Sequence, residues 1–163
     1  MLVRKMRSED IVAVAEIERE CFSQPWSEKS FEDSISRDDT IFLVCEEAQN
    51  SHAVEVQNTD EEKFLDGQIT GYIGMYISFD EASITNVAVS PIFRKQGIGK
   101  LLVSKAKLEA KEAKTETIFL EVRVSNAPAI SLYEKMGFEN LGVRKNFYDH
   151  PKEDAYIMRC DLV

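Results

Sequence analysis

The stretch "NVAVSPIFRKQGIGKLLV", residues 86–103, joins a run of strand-forming residues to a run with helical periodicity. Pro91 ends the strand, because proline cannot donate a hydrogen bond to a β-ladder. The junction that follows, Arg94–Lys100, holds two glycines and three cations. Glycine lets the backbone approach a ligand closely, and the free N–H groups at a helix start attract anions. The junction therefore predicts an anion site.

The junction differs from two better-known phosphate-binding motifs. The sequence contains neither G-x-x-x-x-G-K-[ST] nor G-x-G-x-x-G after a strand, so a mononucleotide or dinucleotide enzyme is not indicated. What remains is R-x-x-G-x-G, residues 94–99, at the start of an amphipathic helix. On this motif alone, a tight turn with glycines required for packing is a competing interpretation.

The segments on either side of the junction predict a mixed sheet with helices on its faces. Strand-like runs occupy residues 2–6, 40–45, 69–77, 84–89 and 118–124, and two more lie within residues 138–163. Helical patterns begin after Ser8, near Ser27, at Gly97 and after Ser125 or Asn126. Trp26 and Phe31 flank the Ser27 cap as a hydrophobic staple would. The order β-α-α-β-β-β-α-β-α-β-β belongs to the α/β (α+β) class.

Length and composition predict one soluble domain, residues 1–163, in the cytoplasm. Hydrophobic residues make up 44% of the chain, but no run approaches the ~18 apolar residues of a membrane span. The formal charge of −9 argues against direct binding to nucleic acid. The three cysteines form no C-x-x-C pair, so no metal site is expected.

Residues 47–68 stand apart from the rest of the chain in composition. They contain six acidic residues and one lysine, a net charge of −5, and few apolar side chains. We expect this segment to be a mobile acidic insertion extending a hairpin, able to steer a basic acceptor.

Four separated motifs resemble the GNAT N-acetyltransferase family across most of the chain. Residues 86–103 and "FLEVRVSNAPAISLYEKMGF", residues 119–138, resemble the family as a whole. "PWSEKSF", residues 25–31, and "RKNFYDHPKEDAYIM", residues 144–158, are similar to its RimI type, the ribosomal-protein-alanine N-acetyltransferases. The resemblance implies the GNAT fold, a mixed, mostly antiparallel central sheet of about seven strands with about four helices on its faces.

The resemblance also implies acetyl-CoA as co-substrate and no metal. In this family the pyrophosphate is held by backbone amides at the helix start, here Lys95–Lys100, with Arg94 and Lys100 adding charge. Residues 87–89 would pair with the pantetheine like an extra strand, and Asn126 would contact the cofactor. The residues so assigned are Val87, Ala88, Val89, Arg94, Lys95, Gln96, Gly97, Ile98, Gly99, Lys100 and Asn126.

Acyl transfer from a thioester to an amine requires a neutral amine and an acid for the departing thiolate. Alternation along "IFLEVRV" favours Glu121 as a polar residue on the less buried side of a strand. Periodicity favours Tyr133 as a core tyrosine. The resemblance instead assigns Glu121 as the base, and Tyr133 as the proton donor to the sulfur.

The resemblance places the acceptor between Pro25 and Trp26 on one side and Tyr148 on the other. Relatives often carry two adjacent tyrosines at the second wall, whereas here the pair is Phe147 and Tyr148, so one substrate-facing hydroxyl is missing. The expected acceptor is a protein N-terminus, that of a small-subunit ribosomal protein beginning with alanine.

Two other functions stay open from the sequence. The same fold and cofactor could serve a lysine, a polyamine or an aminoglycoside, and the chain could be a non-catalytic acyl-CoA-binding or regulatory module. The sequence leaves the oligomeric state open.

Overall fold

The computed structural model describes residues 1–47 and 67–163. Residues 48–66, nearly all of the predicted acidic insertion, lie outside the described residues. No helix in the described ranges is long and apolar enough to cross a membrane.

The described residues form seven strands and four helices. The strands are β1 (Leu2–Lys5), β2 (Thr40–Glu47), β3 (Gln68–Ser78), β4 (Glu81–Val89), β5 (Thr117–Arg123), β6 (Glu139–Asp149) and β7 (Lys152–Asp161). The helices are α1 (Ile11–Cys21), α2 (Glu28–Ile35), α3 (Ile98–Glu112) and α4 (Ala127–Lys135). The sheet order is β1-β2-β3-β4-β5-β7-β6, and every neighbouring pair except β4–β5 is antiparallel. The predicted mixed, mostly antiparallel sheet is confirmed.

Two predicted boundaries were wrong. β4 begins at Glu81 rather than Ile84, because Glu81 and Ser83 face outward while Ala82 is buried, which continues the alternation of a half-buried strand. Ser8 does not cap α1 but lies in a short 3-10 turn. The side chain of Asp10 organises this helix entry instead, accepting the backbone N–H of Arg7 at 2.7 Å.

The helices cover the two faces of the sheet in pairs. On one face, α3 buries Ile98, Leu102 and Ala106 against the sheet, and apolar residues of α4 pack against the same core. On the other face, Val14 of α1 and Phe31 of α2 pack over a second core. Fully burying a large apolar side chain contributes roughly 1.5–3 kcal/mol, so both cores hold the sheet in place.

The corner between α1 and α2 has the predicted staple. The Ser27 hydroxyl accepts the N–H of Ser30 at 3.1 Å, which caps α2. The rings of Trp26 and Phe31 pack with their centroids 5.4 Å apart. The segment that enters α2 is therefore fixed at both its backbone and its side chains.

The sheet opens between β4 and β5, and we call the junction of these two strands the β4–β5 seam. These two strands pair in parallel only from Glu81–Ile84 to Thr117–Leu120. Beyond this point β4 stays paired with β3, across a bulge near Thr85, while β5 stays paired with β7. The two strands therefore part after Ile84 and Leu120, and a cleft opens between them.

Candidate active site

The cleft between the diverging ends of β4 and β5 has a volume of about 500 Å³. Both strands line it, together with α1, the α1–α2 loop, α4 and the β6–β7 turn. Its lining residues are Glu18, Cys21, Phe22, Ser23, Gln24, Trp26, Ile84, Thr85, Asn86, Val87, Leu120, Glu121, Val122, Arg123, Asn126, Ala129, Tyr133, Tyr148, His150 and Pro151. The cleft therefore brings together Glu121, Tyr133, Val87, Asn126, Trp26 and Tyr148, all of which the sequence singled out.

Glu121 lies on β5 one residue beyond the last parallel pair. Its neighbours Leu120 and Val122 point into the core beneath α3, so alternation turns Glu121 to the α1–α2 side of the sheet. Its side chain is 28% exposed, and one oxygen accepts a hydrogen bond from Arg144 Nη1 at 3.0 Å. The carboxylate is thus accessible, and among residues 1–47 and 67–163 it is held by Arg144 alone.

Tyr133 is buried in α4 and packs edge-on against Phe138, with ring centroids 5.7 Å apart. Burial raises the pKa of its phenol, and the nearby Tyr148 adds to the shift. The phenol therefore keeps its proton at neutral pH and can act as a donor. Tyr133 therefore packs in the core, as its periodicity predicted, and it also lines the cleft.

The glycine junction presents an uncapped helix start. Gly97 precedes α3 with a φ of +82°, a conformation that favours glycine, and no side chain of the described residues caps the first turn. The Ile98 side chain is buried, whereas residues 94–97 are exposed. The first N–H groups of α3 have no intrahelical acceptor and are available to an anion.

The two glycines of the junction have different roles. A Cβ on Gly97 would meet nothing within 4 Å, whereas one on Gly99 would lie 3.0 Å from Leu132 Cδ2 of α4. Gly99 therefore permits α3 and α4 to pack closely, which is the packing interpretation. Gly97 instead sets the backbone conformation and leaves open space in front of the helix start.

The other residues assigned to the cofactor are more dispersed. Val87 lines the cleft, whereas Ala88, Val89 and the junction residues 94–100 lie outside its lining. The Arg94 side chain folds back onto β4, where its Nε donates to the Val89 carbonyl at 3.2 Å. Asn126 lines the cleft and also caps α4, accepting the N–H of Ala129 at 3.3 Å.

The two predicted acceptor walls contact each other across the cleft. The Ser23 hydroxyl, in the α1–α2 loop, donates to the carbonyl of His150 in the β6–β7 turn. Arg123 donates to the carbonyls of His150 at 3.2 Å and Pro151 at 2.9 Å. Trp26 lines the cleft, whereas its neighbour Pro25 is exposed outside the lining.

The aromatic pair of the second wall is divided between cleft and solvent. Tyr148 lines the cleft beneath the Arg123 guanidinium, 4.2 Å from the ring centroid. Burial raises the pKa of Tyr148, although the charge of Arg123 opposes the shift. Phe147 lies outside the lining, 40% exposed, and packs edge-on against Tyr148. A tyrosine at position 147 would therefore add its hydroxyl to the exposed surface beside the cleft. The cleft lining itself lacks no hydroxyl because of Phe147.

Sequence reasoning missed a buried polar group in the cleft. Glu18 of α1 is 1% exposed and accepts hydrogen bonds from the Tyr72 hydroxyl, the Trp26 N–H at 3.1 Å and Asn86 Nδ2 at 3.4 Å. Burial raises the pKa of Glu18, although these hydrogen bonds oppose the shift. The signal was present, because Glu18 lies four residues after Val14 on the apolar face of α1.

Comparison with known proteins gives concordant results. The model of the Acetyltransferase (GNAT) family matches residues 11–138. The [ribosomal protein bS18]-alanine N-acetyltransferase of Escherichia coli (strain K12) is 31% identical over 98% of this chain and 97% of its own. A Bacillus subtilis (strain 168) protein, to which its name assigns the same activity provisionally, is 40% identical over 96% of this chain and 92% of its own.

The solved structures agree with the sequence comparisons. The crystal structure of the ribosomal-protein-S18-alanine N-acetyltransferase from Escherichia coli superposes with a TM-score of 0.78 at 29% identity, covering 99% of this chain and 93% of that one. A spermidine N-acetyltransferase chimera from Vibrio cholerae and hSSAT also superposes with a TM-score of 0.78, but at 19% identity, so it shows the fold alone.

Proposed function

We propose that this chain, which belongs to the GNAT acetyltransferase family, transfers the acetyl group of acetyl-CoA to the N-terminal alanine of ribosomal protein bS18. The acceptor is inferred from relatives that carry this name and align over nearly the whole chain. A ribosomal acceptor would place the reaction in the cytoplasm.

The observation that carries the proposal is the cleft at the β4–β5 seam. It is lined by Glu121 and Tyr133, and it lies between the α1–α2 loop and the β6–β7 turn, which are joined by the hydrogen bond from Ser23 to His150. A carboxylate and a protonated phenol in one cleft supply the two proton transfers that acyl transfer to an amine requires.

In the proposed reaction, Glu121 accepts a proton from the acceptor ammonium, directly or through a water. The neutral amine then forms a C–N bond to the acetyl carbonyl carbon while the C–S bond breaks. Tyr133 gives its proton to the departing sulfur. The second proton that the nitrogen loses as the amide forms restores the phenol, directly or through a water, so the net reaction releases one proton, from Glu121.

The family uses acetyl-CoA, and the start of α3 fits an anionic co-substrate. The uncapped N–H groups after Gly97 and the open space in front of this residue can receive its phosphates. When bound, acetyl-CoA supplies the activated acetyl thioester.

Chemistry favours an α-amine over a lysine side chain. The reference pKa is about 7.7–8.0 for an α-amine and about 10.4 for lysine, so far more of the α-amine is neutral at pH 7. A single accessible carboxylate at Glu121 then has only a modest proton-transfer task. The contact between the two walls also favours a chain end that enters the cleft over a side chain presented by a folded surface.

A competition assay tests the proposal. One peptide begins with alanine, and the second has the same sequence with a blocked N-terminus and one free internal lysine. We expect acetylation of the first peptide, and about 10- to 200-fold weaker kcat/KM when its first residue is replaced by tryptophan, because each misfit group costs about 1–3 kcal/mol. Preferential acetylation of the blocked peptide would support a lysine acceptor, and acetylation of neither would support a binding module.

A further inference from the structure

The carboxylate assigned as the base has one oxygen that is held and one that is not. Glu121 Oε1 accepts the hydrogen bond from Arg144 Nη1 at 3.0 Å. Glu121 Oε2 accepts no hydrogen bond from residues 1–47 or 67–163. Glu121 lines the cleft, whereas Arg144 lies outside the lining and is 54% exposed. Arg144 therefore holds the carboxylate without lining the cleft, and it leaves the second oxygen available.

The sheet brings Arg144 to Glu121 across one intervening strand. Ala155 of β7 pairs with Arg123 of β5 on one side and with Arg144 of β6 on the other. Residues that pair directly across neighbouring strands point to the same side of a sheet. Arg123 and Glu121 lie two residues apart on β5, so Arg144 and Glu121 share the α1–α2 side. The Arg144 side chain crosses β7 to make the contact.

A bulge in β6 places an aromatic ring against Arg144. The β6–β7 pairing shifts register after Arg144, and residues 145–147 form the bulge. Asp154 Oδ1 fixes this bulge by accepting the N–H of Asn146 at 2.8 Å. The Arg144 guanidinium lies over the ring of Phe147, 5.4 Å from its centroid, within the range of a cation–π contact. Bulges beside active sites commonly redirect a side chain, and here the bulge braces the guanidinium.

Folding stability does not account for the contact between Arg144 and Glu121. An exposed ion pair adds little to stability, because water and salt screen it. A base, in contrast, must lie within hydrogen-bond reach of the proton that it takes. A glutamate has three rotatable side-chain bonds, and a partly exposed side chain changes rotamer rapidly. An arginine that holds one oxygen restricts this motion and leaves the other oxygen for proton transfer.

We propose that Arg144, braced by Phe147, is a positioning residue that holds the Glu121 carboxylate with its second oxygen ready for the proton of the acceptor amine. The inference rests on the proposed function and adds a residue to its proton transfer. In this role Arg144 acts through Glu121 and touches neither substrate. The role also explains how position 147 can lack the hydroxyl that relatives often carry, since a cation–π contact needs only the ring.

A double-mutant cycle on kcat with the alanine peptide tests the inference. Arg144→Met should lower kcat about 3- to 10-fold in single-turnover assays, the scale of one partly exposed charged hydrogen bond. In the Glu121→Gln background, which has no carboxylate to position, the same change should alter kcat by less than about 1.5-fold. The peptide KM and the Kd of acetyl-CoA should each stay within about 2-fold of the parent protein. A merely structural role would lower kcat by the same factor in both backgrounds.

Arg159→Met is the matched control. Arg159 of β7 is 43% exposed, its Nε donates to Asp161 at 2.8 Å, and it lies outside the cleft lining. Loss of this exposed ion pair should leave kcat within about 1.5-fold of wild type. Arg144→Lys keeps a cationic donor and should recover part of the loss seen with methionine. Phe147→Leu should lower kcat about 2-fold, with no further loss when Arg144 is already methionine.

Far-UV circular dichroism checks that each variant is folded, and Arg144→Gln replaces Arg144→Met should the latter fail to fold. Wild-type kcat in the folded variant, or an equal loss in the Glu121→Gln background, contradicts the inference. A raised peptide KM with kcat intact contradicts it as well and would make Arg144 an acceptor-binding residue.

The same assays distinguish this inference from the proposed function. If only the blocked peptide with its free lysine is acetylated, the proposed acceptor is wrong, and the cycle is measured with that peptide. The outcomes that support or contradict a role for Arg144 are then unchanged. Acetylation of neither peptide overturns both the proposed function and the inference.

Discussion

The two sides of the cleft are built in different ways. The candidate cofactor side consists of one contiguous segment, Arg94–Lys100, and offers backbone N–H groups. The candidate acceptor side consists of side chains from α1, the α1–α2 loop, β4, β5 and the β6–β7 turn. The first depends on the conformation of one turn, whereas the second depends on packing between distant segments.

This difference determines what a substitution can do. On the cofactor side, a change acts through backbone conformation, and the nature of the added side chain is secondary. On the acceptor side, a change removes one polar atom and leaves its partners unsatisfied. Ligand-specific measurements on the two sides can therefore test whether they act separately.

The largest expected effect is on kcat, and it comes from Glu121 and Tyr133, which lie between the candidate cofactor side and the candidate acceptor side. Glu121→Gln removes the proposed base and Tyr133→Phe removes the proposed acid, so each should lower kcat about 10²- to 10⁴-fold. Stopped-flow turnover with the alanine peptide measures the rate, and calorimetry should show unchanged acetyl-CoA affinity.

Tyr156→Phe, on β7 outside the cleft lining, is the control for loss of a hydroxyl. It should retain the wild-type rate. Near-normal turnover in both catalytic variants, with chemistry rate-limiting, would leave proximity as the sole source of catalysis and remove the roles assigned to Glu121 and Tyr133.

A smaller effect is expected on the cofactor side alone. Gly97→Val forces a β-branched residue into a φ of +82° and should weaken acetyl-CoA binding about 5- to 150-fold, as expected from about 1–3 kcal/mol of backbone strain. Gly97→Asn should be milder, because asparagine tolerates this conformation. Peptide affinity should not change in either variant.

Calorimetry with acetyl-CoA and far-UV circular dichroism separate binding from folding. Full acetyl-CoA affinity in a folded Gly97→Val protein would mean that the anion binds elsewhere. Equal losses for valine and asparagine would identify steric exclusion, and not backbone strain, as the cause.

The smallest expected effect is on how the free energy of unfolding changes with pH. It contrasts two buried acids of the α1 region, Asp10 and Glu18. At Asp10, burial raises the pKa, but hydrogen bonds from Arg4 and the Arg7 backbone outweigh it and lower the pKa below its usual 3.8. At Glu18, burial prevails and raises the pKa above its usual 4.5. Stability from Asp10 is therefore present above pH 3.8 and lost as pH falls through its lowered pKa. The contribution of Glu18 is present below pH 4.5 and lost as pH rises through its raised pKa.

Urea unfolding between pH 3 and pH 7 measures these slopes. The free energy of unfolding of wild type relative to Asp10→Asn should grow with rising pH, and that relative to Glu18→Gln should fall. Two slopes of the same sign would show that the hydrogen bonds to Glu18 outweigh its burial.

Sequence reasoning predicted well what neighbouring residues determine. The Ser27 cap, the Trp26–Phe31 contact and the glycine junction all depend on short spacing, and each has the expected local geometry. The fold class and the mixed sheet followed from the order of elements, and the resemblance added that the sheet is mostly antiparallel. The predicted start of β4 at Ile84 was wrong, because the polar residues Glu81 and Ser83 occupy the outward positions of the strand.

What sequence reasoning missed depends on strand register. The contact of Arg144 with Glu121 exists only because β7 lies between β6 and β5 in the sheet. The contact of Asn86 with Glu18 needs the bulge near Thr85, which determines the direction of each later side chain of β4. No spacing within one segment carries this information.

The β4–β5 seam also has a consequence for how the protein folds. Antiparallel neighbours such as β6 and β7 are joined by a short turn and can pair early, since closing a short loop costs little entropy. The parallel pairing of Glu81–Ile84 with Thr117–Leu120 must await the whole α3 crossover and unites the two halves of the chain. The cleft belongs to neither half. During refolding, the capacity to bind both substrates should therefore return with this last pairing, later than the bulk of the secondary structure.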